Sequence, residues 1–343
     1  MIHGGDIYRN KIEYDFSVNV NPFKLPDILM PSMDDLERVM GIYPDEQCEE
    51  IRAALSKRYG VKPKHIVCGN GASDLFLGIV RGINPKKALI MSPTFYGYEY
   101  ALKNAEIISY KLKEEAGFSI DEGILDYMDE DIDLMFIGNP ENPAGKLIDK
   151  ALLKSILNRG KQLGIIIVLD ECFYELSQGI IREDTDSLIS EYKNLCIINA
   201  FTKSYGIPGV RLGYLFCGDE DLILNVKNNL SEWNVSGIAQ LMGTKLSDDV
   251  AFIKDSAKRI AIEREYVTKS LIAMGMRVYS FDANFLLVYS EMDIYKGLLD
   301  KRILIKDCKD TKGLRKGFYR IAIKDRKSNE YLINSLRNIM RDI

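Results

Sequence analysis

In the run Phe201-Thr202-Lys203-Ser204-Tyr205-Gly206-Ile207-Pro208-Gly209-Val210-Arg211-Leu212-Gly213-Tyr214, a lysine sits in a small-residue turn. An arginine follows eight positions later, and a strand-like segment, Leu195 to Asn199, comes before. A primary amine so placed can condense with an aldehyde cofactor to form an imine, and a nearby guanidinium can hold an anionic handle on that cofactor. The pair suggests pyridoxal phosphate. Taken alone, Thr-Lys-Ser would more often be a surface lysine beside a structural arginine, so the weight falls on three further motifs in the same chain.

The first is Gly69-Asn70-Gly71-Ala72-Ser73-Asp74, between the apolar strand His65-Ile66-Val67-Cys68 and the apolar helix Leu75 to Val80. Glycines permit the tight turn, and the first N–H groups of the helix then point at whatever lies ahead, a setting that suits a phosphate. A lone Gly-x-Gly of this kind is often only a turn with Ser73 or Asp74 as helix cap. The second is Asn139-Pro140-Glu141-Asn142-Pro143-Ala144-Gly145, after the strand Leu134-Met135-Phe136-Ile137. Two X-Pro pairs impose an extended, turn-rich backbone that can present the Asn142 amide to a ring substituent. The third is Ile165-Ile166-Ile167-Val168-Leu169-Asp170, a β-branched run ending in an acid. Such runs are strands buried on both faces of a parallel sheet, and ligands bind beyond their carboxyl ends, where Asp170 stands.

These four motifs resemble the fold-type I pyridoxal-phosphate enzymes, the aspartate-aminotransferase-like superfamily, over nearly the whole chain. Within it the likeness is greatest to the threonine-phosphate decarboxylases of cobalamin side-chain synthesis, and next to the histidinol-phosphate aminotransferases. The residues that carry it are His3-Gly4-Gly5-Asp6-Ile7, Asp15-Phe16-Ser17-Val18-Asn19-Val20-Asn21-Pro22, Phe173, Ile207-Pro208-Gly209, Ile303 to Cys308, and Tyr319-Arg320-Ile321-Ala322-Ile323.

The resemblance implies a role for each matching residue. Lys203 is the cofactor lysine and proton carrier, and Asp170 pairs with the pyridine nitrogen. Asn142 meets the ring oxygen, Phe95 stacks on the ring face, and Ala72, Ser73, Thr202 and Arg211 take the phosphate. Tyr43 reaches the phosphate of a neighbouring subunit, so the expected unit is a homodimer with shared active sites. Arg320 clamps the substrate carboxylate, while His3, Lys306 and Asn19 are further substrate contacts. Three departures stand out. Ala200 occupies a position that often carries a hydroxyl, Phe173 stands where a tyrosine is usual, and Lys306 and Lys324 replace arginines. Among the tyrosines at 96, 98 and 100, core packing competes with a role at the ring. The implied reaction is decarboxylation of L-threonine O-3-phosphate, with O-phospho-L-serine decarboxylation and histidinol-phosphate-type transamination as alternatives.

Composition agrees. The 343 residues are 46% hydrophobic with net charge −4, charges of both signs being mixed along the chain, so nucleic-acid and membrane partners are not expected. Six scattered cysteines without Cys-x-x-Cys spacing read as reduced thiols of a cytoplasmic protein, with no metal site expected. Helical patterns alternate with short β-branched strands from Asp45 to about Gly218, which predicts a largely parallel sheet between helices. A helical stretch from about Asp248 to Met274 and strands near 277, 285 and 320 predict a small α+β domain. The expected organisation is an irregular N-terminal arm (1–35), a large cofactor domain (36–225) and a small C-terminal domain (226–343).

Overall fold

A computed structural model describes residues 4–179 and 182–341. The strands in chain order are β1 (Tyr14–Asp15), β2 (Ile66–Gly69), β3 (Lys87–Ser92), β4 (Glu106–Lys111), β5 (Leu134–Gly138), β6 (Ile166–Asp170), β7 (Leu195–Ala200) and β8 (Gly213–Cys217). After them come β9 (Arg277–Val278), β10 (Phe285–Tyr289), β11 (Ile303–Leu304), β12 (Lys306–Asp307) and β13 (Phe318–Ala322).

Seven strands form one sheet in the order β2-β8-β7-β6-β5-β3-β4, and β8 alone runs against the rest. Every residue of β5 and β7 is buried, as expected of strands covered by helices on both faces. The expected doubly covered α/β sheet is therefore present. Helix Lys150–Leu163 covers it, begun by the Asp149 side chain on the N–H groups of Ala151 and Leu152 and ended by Gly164 at φ 75°. A second sheet, β12-β13-β10-β9, is antiparallel and backed by helices Ala251–Ala273 and Arg326–Arg341 through the cluster of Ile260, Val267, Leu286, Ile321, Leu332 and Leu336. The strand and long-helix positions agree with the sequence reading to within a few residues.

Three elements differ from it. The arm read as irregular contributes β1, which pairs in parallel with β11, and its last residues open a helix, Met33–Met40, capped by Ser32. A helix at Gly237–Ser247, capped by Ser236, precedes the long one. The helix after Gly71 begins at Ala72 and runs to Ile83, with Gly71 at φ 77° as its cap in place of Ser73 or Asp74. The Asp74 carboxylate instead accepts from the Asn70 N–H at 3.0 Å and tightens the turn. No helix among the described residues is long and apolar enough to cross a membrane.

Candidate active site

The carboxyl ends of β5, β6 and β7, the start of helix Ala72–Ile83 and the face of β12 and β13 converge on one cavity of about 240 Å³. Parallel strands end together, so residues far apart in sequence arrive at one rim. Of the residues singled out in the sequence, Asn19, Ala72, Ser73, Phe95, Asn142, Asp170, Thr202, Lys203, Arg211, Lys306 and Arg320 line this cavity. Tyr43 does not. Its side chain is 81% exposed and packs on Trp233, ring centroids 5.1 Å apart. His3 lies outside the described residues.

Lys203 follows β7 in the single helical turn Phe201–Ser204. Burial, with the Arg320 charge adding, pushes its ammonium down to about 8, so the amine is readily neutral and nucleophilic. Its Nζ lies 5.5 Å from the centre of the Phe173 ring. Asp170 closes β6. Its Oδ2 accepts from the Tyr98 hydroxyl at 2.7 Å and its Oδ1 from Cys172 N–H at 3.0 Å. Burial raises this carboxyl, while those two donors and the Lys203 charge favour its ionised form. Tyr98 packs in the core, as the aromatic segment allowed, and also touches the acid directly. Phe95 packs edge-on against Tyr98 at 5.6 Å, and its ring lies over Gly97, where a Cβ would collide with it.

At the opposite wall, Gly71 lets Arg211 approach, because a Cβ there would collide with Arg211 Nη2. Arg211 itself takes φ 56°, unusual for a non-glycine residue, and its Nη1 donates to Pro208 O at 3.2 Å. Thr202 Oγ1 is buried without a hydrogen-bond partner. An orphaned buried hydroxyl, a guanidinium and an open helix start, all facing one cavity, form a cradle for a phosphate. With the amine of Lys203 and the acid of Asp170 on the other walls, these residues fit pyridoxal phosphate.

The third wall is built on facing strands. Lys306 and Arg320 are direct partners across β12 and β13, so both cationic side chains rise from the same face. Arg320 Nη1 donates to Asn142 Oδ1 at 2.7 Å and Nη2 to Ser17 O at 2.6 Å. With its amide oxygen turned inward, Asn19 accepts from Arg320 Nε and Nη1 at 3.1 and 3.2 Å. Asn142, its oxygen occupied by Arg320, is left with its amide N–H groups for the cavity. Lys324 Nζ reaches Val18 O at 3.5 Å, outside the cavity lining. The sequence alone favoured no contact with the acid for Tyr98 over core packing, and it gave no role to Thr94 or the Ser17 carbonyl. For Tyr98 a signal existed, because positions 95 and 98 share a face at the start of a helix.

The model of the aminotransferase class I and II family matches residues 11–336. The chain belongs to that family. Its fold is that of the aspartate-aminotransferase-like, fold-type I pyridoxal-phosphate enzymes. It is 31% identical to the threonine-phosphate decarboxylase of Salmonella typhimurium over 96% of this chain and 92% of that protein. It is also 26% identical to the histidinol-phosphate aminotransferase of Thermoanaerobacter pseudethanolicus, over 98% and 95% respectively. Among solved structures, the histidinol-phosphate aminotransferase from Clostridium acetobutylicum superposes with a TM-score of 0.89 at 29% identity, covering 96% of this chain and all of that one.

Proposed function

We propose that this protein is a decarboxylase of a phosphorylated amino acid, with L-threonine O-3-phosphate the leading substrate and O-phospho-L-serine next, acting in cobamide synthesis. The observation that carries the reading is the pairing of Lys306 with Arg320 on one sheet face beside Lys203. Two adjacent cations suit a short substrate with two anionic ends, and the similarity to threonine-phosphate decarboxylase over almost the full length of both chains supports that choice.

Bound pyridoxal phosphate supplies an aldehyde for the substrate amine and a ring that takes up the electron pair left when a bond to Cα breaks. Thr202, Ser73, Arg211 and the first N–H groups of the helix at Ala72 would hold its phosphate. Asp170, kept ionised by Tyr98 and Cys172 N–H, would hold the pyridine nitrogen protonated. Asn142 would donate to the ring oxygen and Phe95 would cover one face. Arg320, braced by Asn142, Asn19 and Ser17, would orient the substrate carboxylate, with Lys306 and His3 meeting the distal phosphate. When the carboxylate leaves as CO2, Lys203 would return a proton to Cα, its amine being neutral at little cost.

Residues 36–225 would form the cofactor domain, and 226–343 with the arm 1–35 the substrate side. The unit would be a homodimer. Ile28, Met33, Met40, Ile42, Tyr43 and Trp233 are all exposed, an apolar set that a second copy would cover while Tyr43 reaches the partner's phosphate cradle. Six buried free cysteines suit the reducing cytoplasm.

A transamination reading is favoured by one observation, the close superposition on a histidinol-phosphate aminotransferase. The test incubates holoenzyme with O-phospho-L-threonine, O-phospho-L-serine or histidinol phosphate, with and without 2-oxoglutarate, and measures CO2 and glutamate. CO2 from a phospho-amino acid without 2-oxoglutarate is expected. Glutamate from histidinol phosphate, with no CO2 from either phospho-amino acid, overturns the decarboxylase and leaves the aminotransferase.

A further inference from the structure

Behind the turn that presents Asn142 lies an acid that the mechanism above does not use. Glu141 is 1% exposed. Its Oε1 accepts from the Thr94 hydroxyl at 2.8 Å and from Asn142 N–H at 2.9 Å, and its Oε2 accepts from Gly138 N–H at 3.1 Å. All three donors are neutral. The other buried glutamates nearby are held by arginine: Glu171 by Arg182, and Glu175 by Arg58 at 2.6 Å. A buried carboxylate without a cation is costly, and proton uptake is the usual relief. The room for the side chain is purpose-made, since a Cβ on residue 138 would stand 3.0 Å from Glu141 Oε1.

The titratable groups that face Glu141 are Asp170, on the neighbouring strand in register with Gly138, and Tyr98, which donates to Asp170. Lys203 faces Asp170, and Arg320 reaches the Asn142 side chain. Two acids therefore share one buried compartment. Burial, with the Asp170 charge adding, raises the Glu141 carboxyl to about 8.

We propose that Glu141 is a positioning residue kept as a neutral acid, fixing Asn142 directly and Phe95 through Thr94, and that its ionisation places a second negative charge beside Asp170 and works against that acid's ionised form. The proposal rests on the pyridoxal-phosphate reading of the cavity, because Asn142 and Phe95 are the residues that would bracket the ring. In the neutral acid the carboxyl proton has Thr94 Oγ1, 2.8 Å away, as an acceptor, and the Thr94 hydroxyl is then free to donate into the cavity that Thr94 lines. Loss of the proton reverses that bond. Thr94 then donates to the carboxylate, and a second negative charge stands beside Asp170, the acid that must stay ionised.

The first measurement needs no cofactor. In infrared spectra of the apoprotein, the difference between wild type and Glu141→Gln should contain a protonated-carboxyl C=O band at about pH 6 that fades with a midpoint near 8. In the loaded enzyme, Glu141→Gln, a neutral side chain of the same shape, should bind cofactor within about fivefold of wild type and lose an alkaline fall in kcat/KM above about pH 8. Glu141→Ala leaves the Gly138 and Asn142 N–H groups unpaired and should bind cofactor at least about tenfold more weakly. Should the alanine variant fail to fold, the glutamine variant and the infrared titration still decide. A carboxyl band absent at about pH 6, or an alkaline limb unchanged in Glu141→Gln, overturns the proposal. Failure of the wild type to bind pyridoxal phosphate would instead overturn the cofactor reading, and the infrared titration would then decide by itself whether Glu141 is a neutral acid.

Discussion

Tyr98→Phe removes one hydroxyl whose partner is Asp170 Oδ2 at 2.7 Å, and removes little else. The ring stays stacked on Phe136 at 4.8 Å and edge-on to Phe76 at 5.2 Å, so the core around it should hold its shape. A hydrogen bond to a charged acceptor contributes about 1.5–3 kcal/mol and a neutral one about half as much, so the ionised form of Asp170 loses about 1–1.5 kcal/mol relative to the protonated form. That raises the carboxyl by roughly one pKa unit, on top of the rise that burial imposes. On the proposed reading, a more basic Asp170 would be less able to hold the pyridine nitrogen protonated, and the ring would be a weaker electron acceptor. The expected outcome is a kcat about five- to tenfold lower with KM little changed. The assay is steady-state CO2 release, alongside the absorption spectrum of the bound cofactor across pH. An unchanged kcat together with an unchanged cofactor spectrum would refute the reasoning and reduce Tyr98 to core packing.

Asp170→Asn should keep cofactor bound but lower kcat by about ten- to a hundredfold or more, because an amide cannot favour the protonated pyridine; stopped-flow and absorbance titration separate the two effects. Lys203→Ala should abolish turnover and the covalent attachment of cofactor that borohydride fixes in the wild type, as checked by mass spectrometry of the reduced protein. In the apoenzyme Lys203 is lowered from 10.5 to about 8, chiefly by burial, so the folded state binds fewer protons than the unfolded one between those values and stability should rise with pH across that window. Lys203→Met apoprotein should accordingly melt higher than wild type near pH 7, with the gap closing as pH rises through that window. Arg320→Lys, which gives up the fork that meets Asn142, Asn19 and Ser17, should raise KM about tenfold or more, measured against the phospho-amino acid.

What the sequence made legible follows from locality. The run Ile165 to Asp170 reads as a strand buried on both sides with an acid at its end, and it is one. Lys203, Asn142 and Ser73 stand in short motifs whose backbone constraints are written in neighbouring residues, and the structure brings them to one cavity. The contacts that escaped are those that join distant segments. Tyr98 meets Asp170 across 72 positions, and the acid in Asn139-Pro140-Glu141-Asn142 shows its isolation only when the arginines beside Glu171 and Glu175 can be compared with it. Helix Gly237–Ser247 escaped for a different reason. Its sequence, GIAQLMGTKLS, carries two glycines and no clean polar stripe, so packing against helix Glu49–Tyr59 through residues such as Met242 and Leu246 decides its state.

The parallel pairing of β1 with β11, and the bond from Arg320 to the carbonyl of Ser17 303 residues earlier, bear on how the molecule comes into being. On a ribosome β1 emerges first and its partner strand is not there until β11 has been made. The seven-stranded sheet can assemble meanwhile, because its strands all lie between Ile66 and Cys217. The guanidinium fork of Arg320 is braced only after that sheet can form, so Lys203 comes into place before the group proposed to orient a substrate carboxylate.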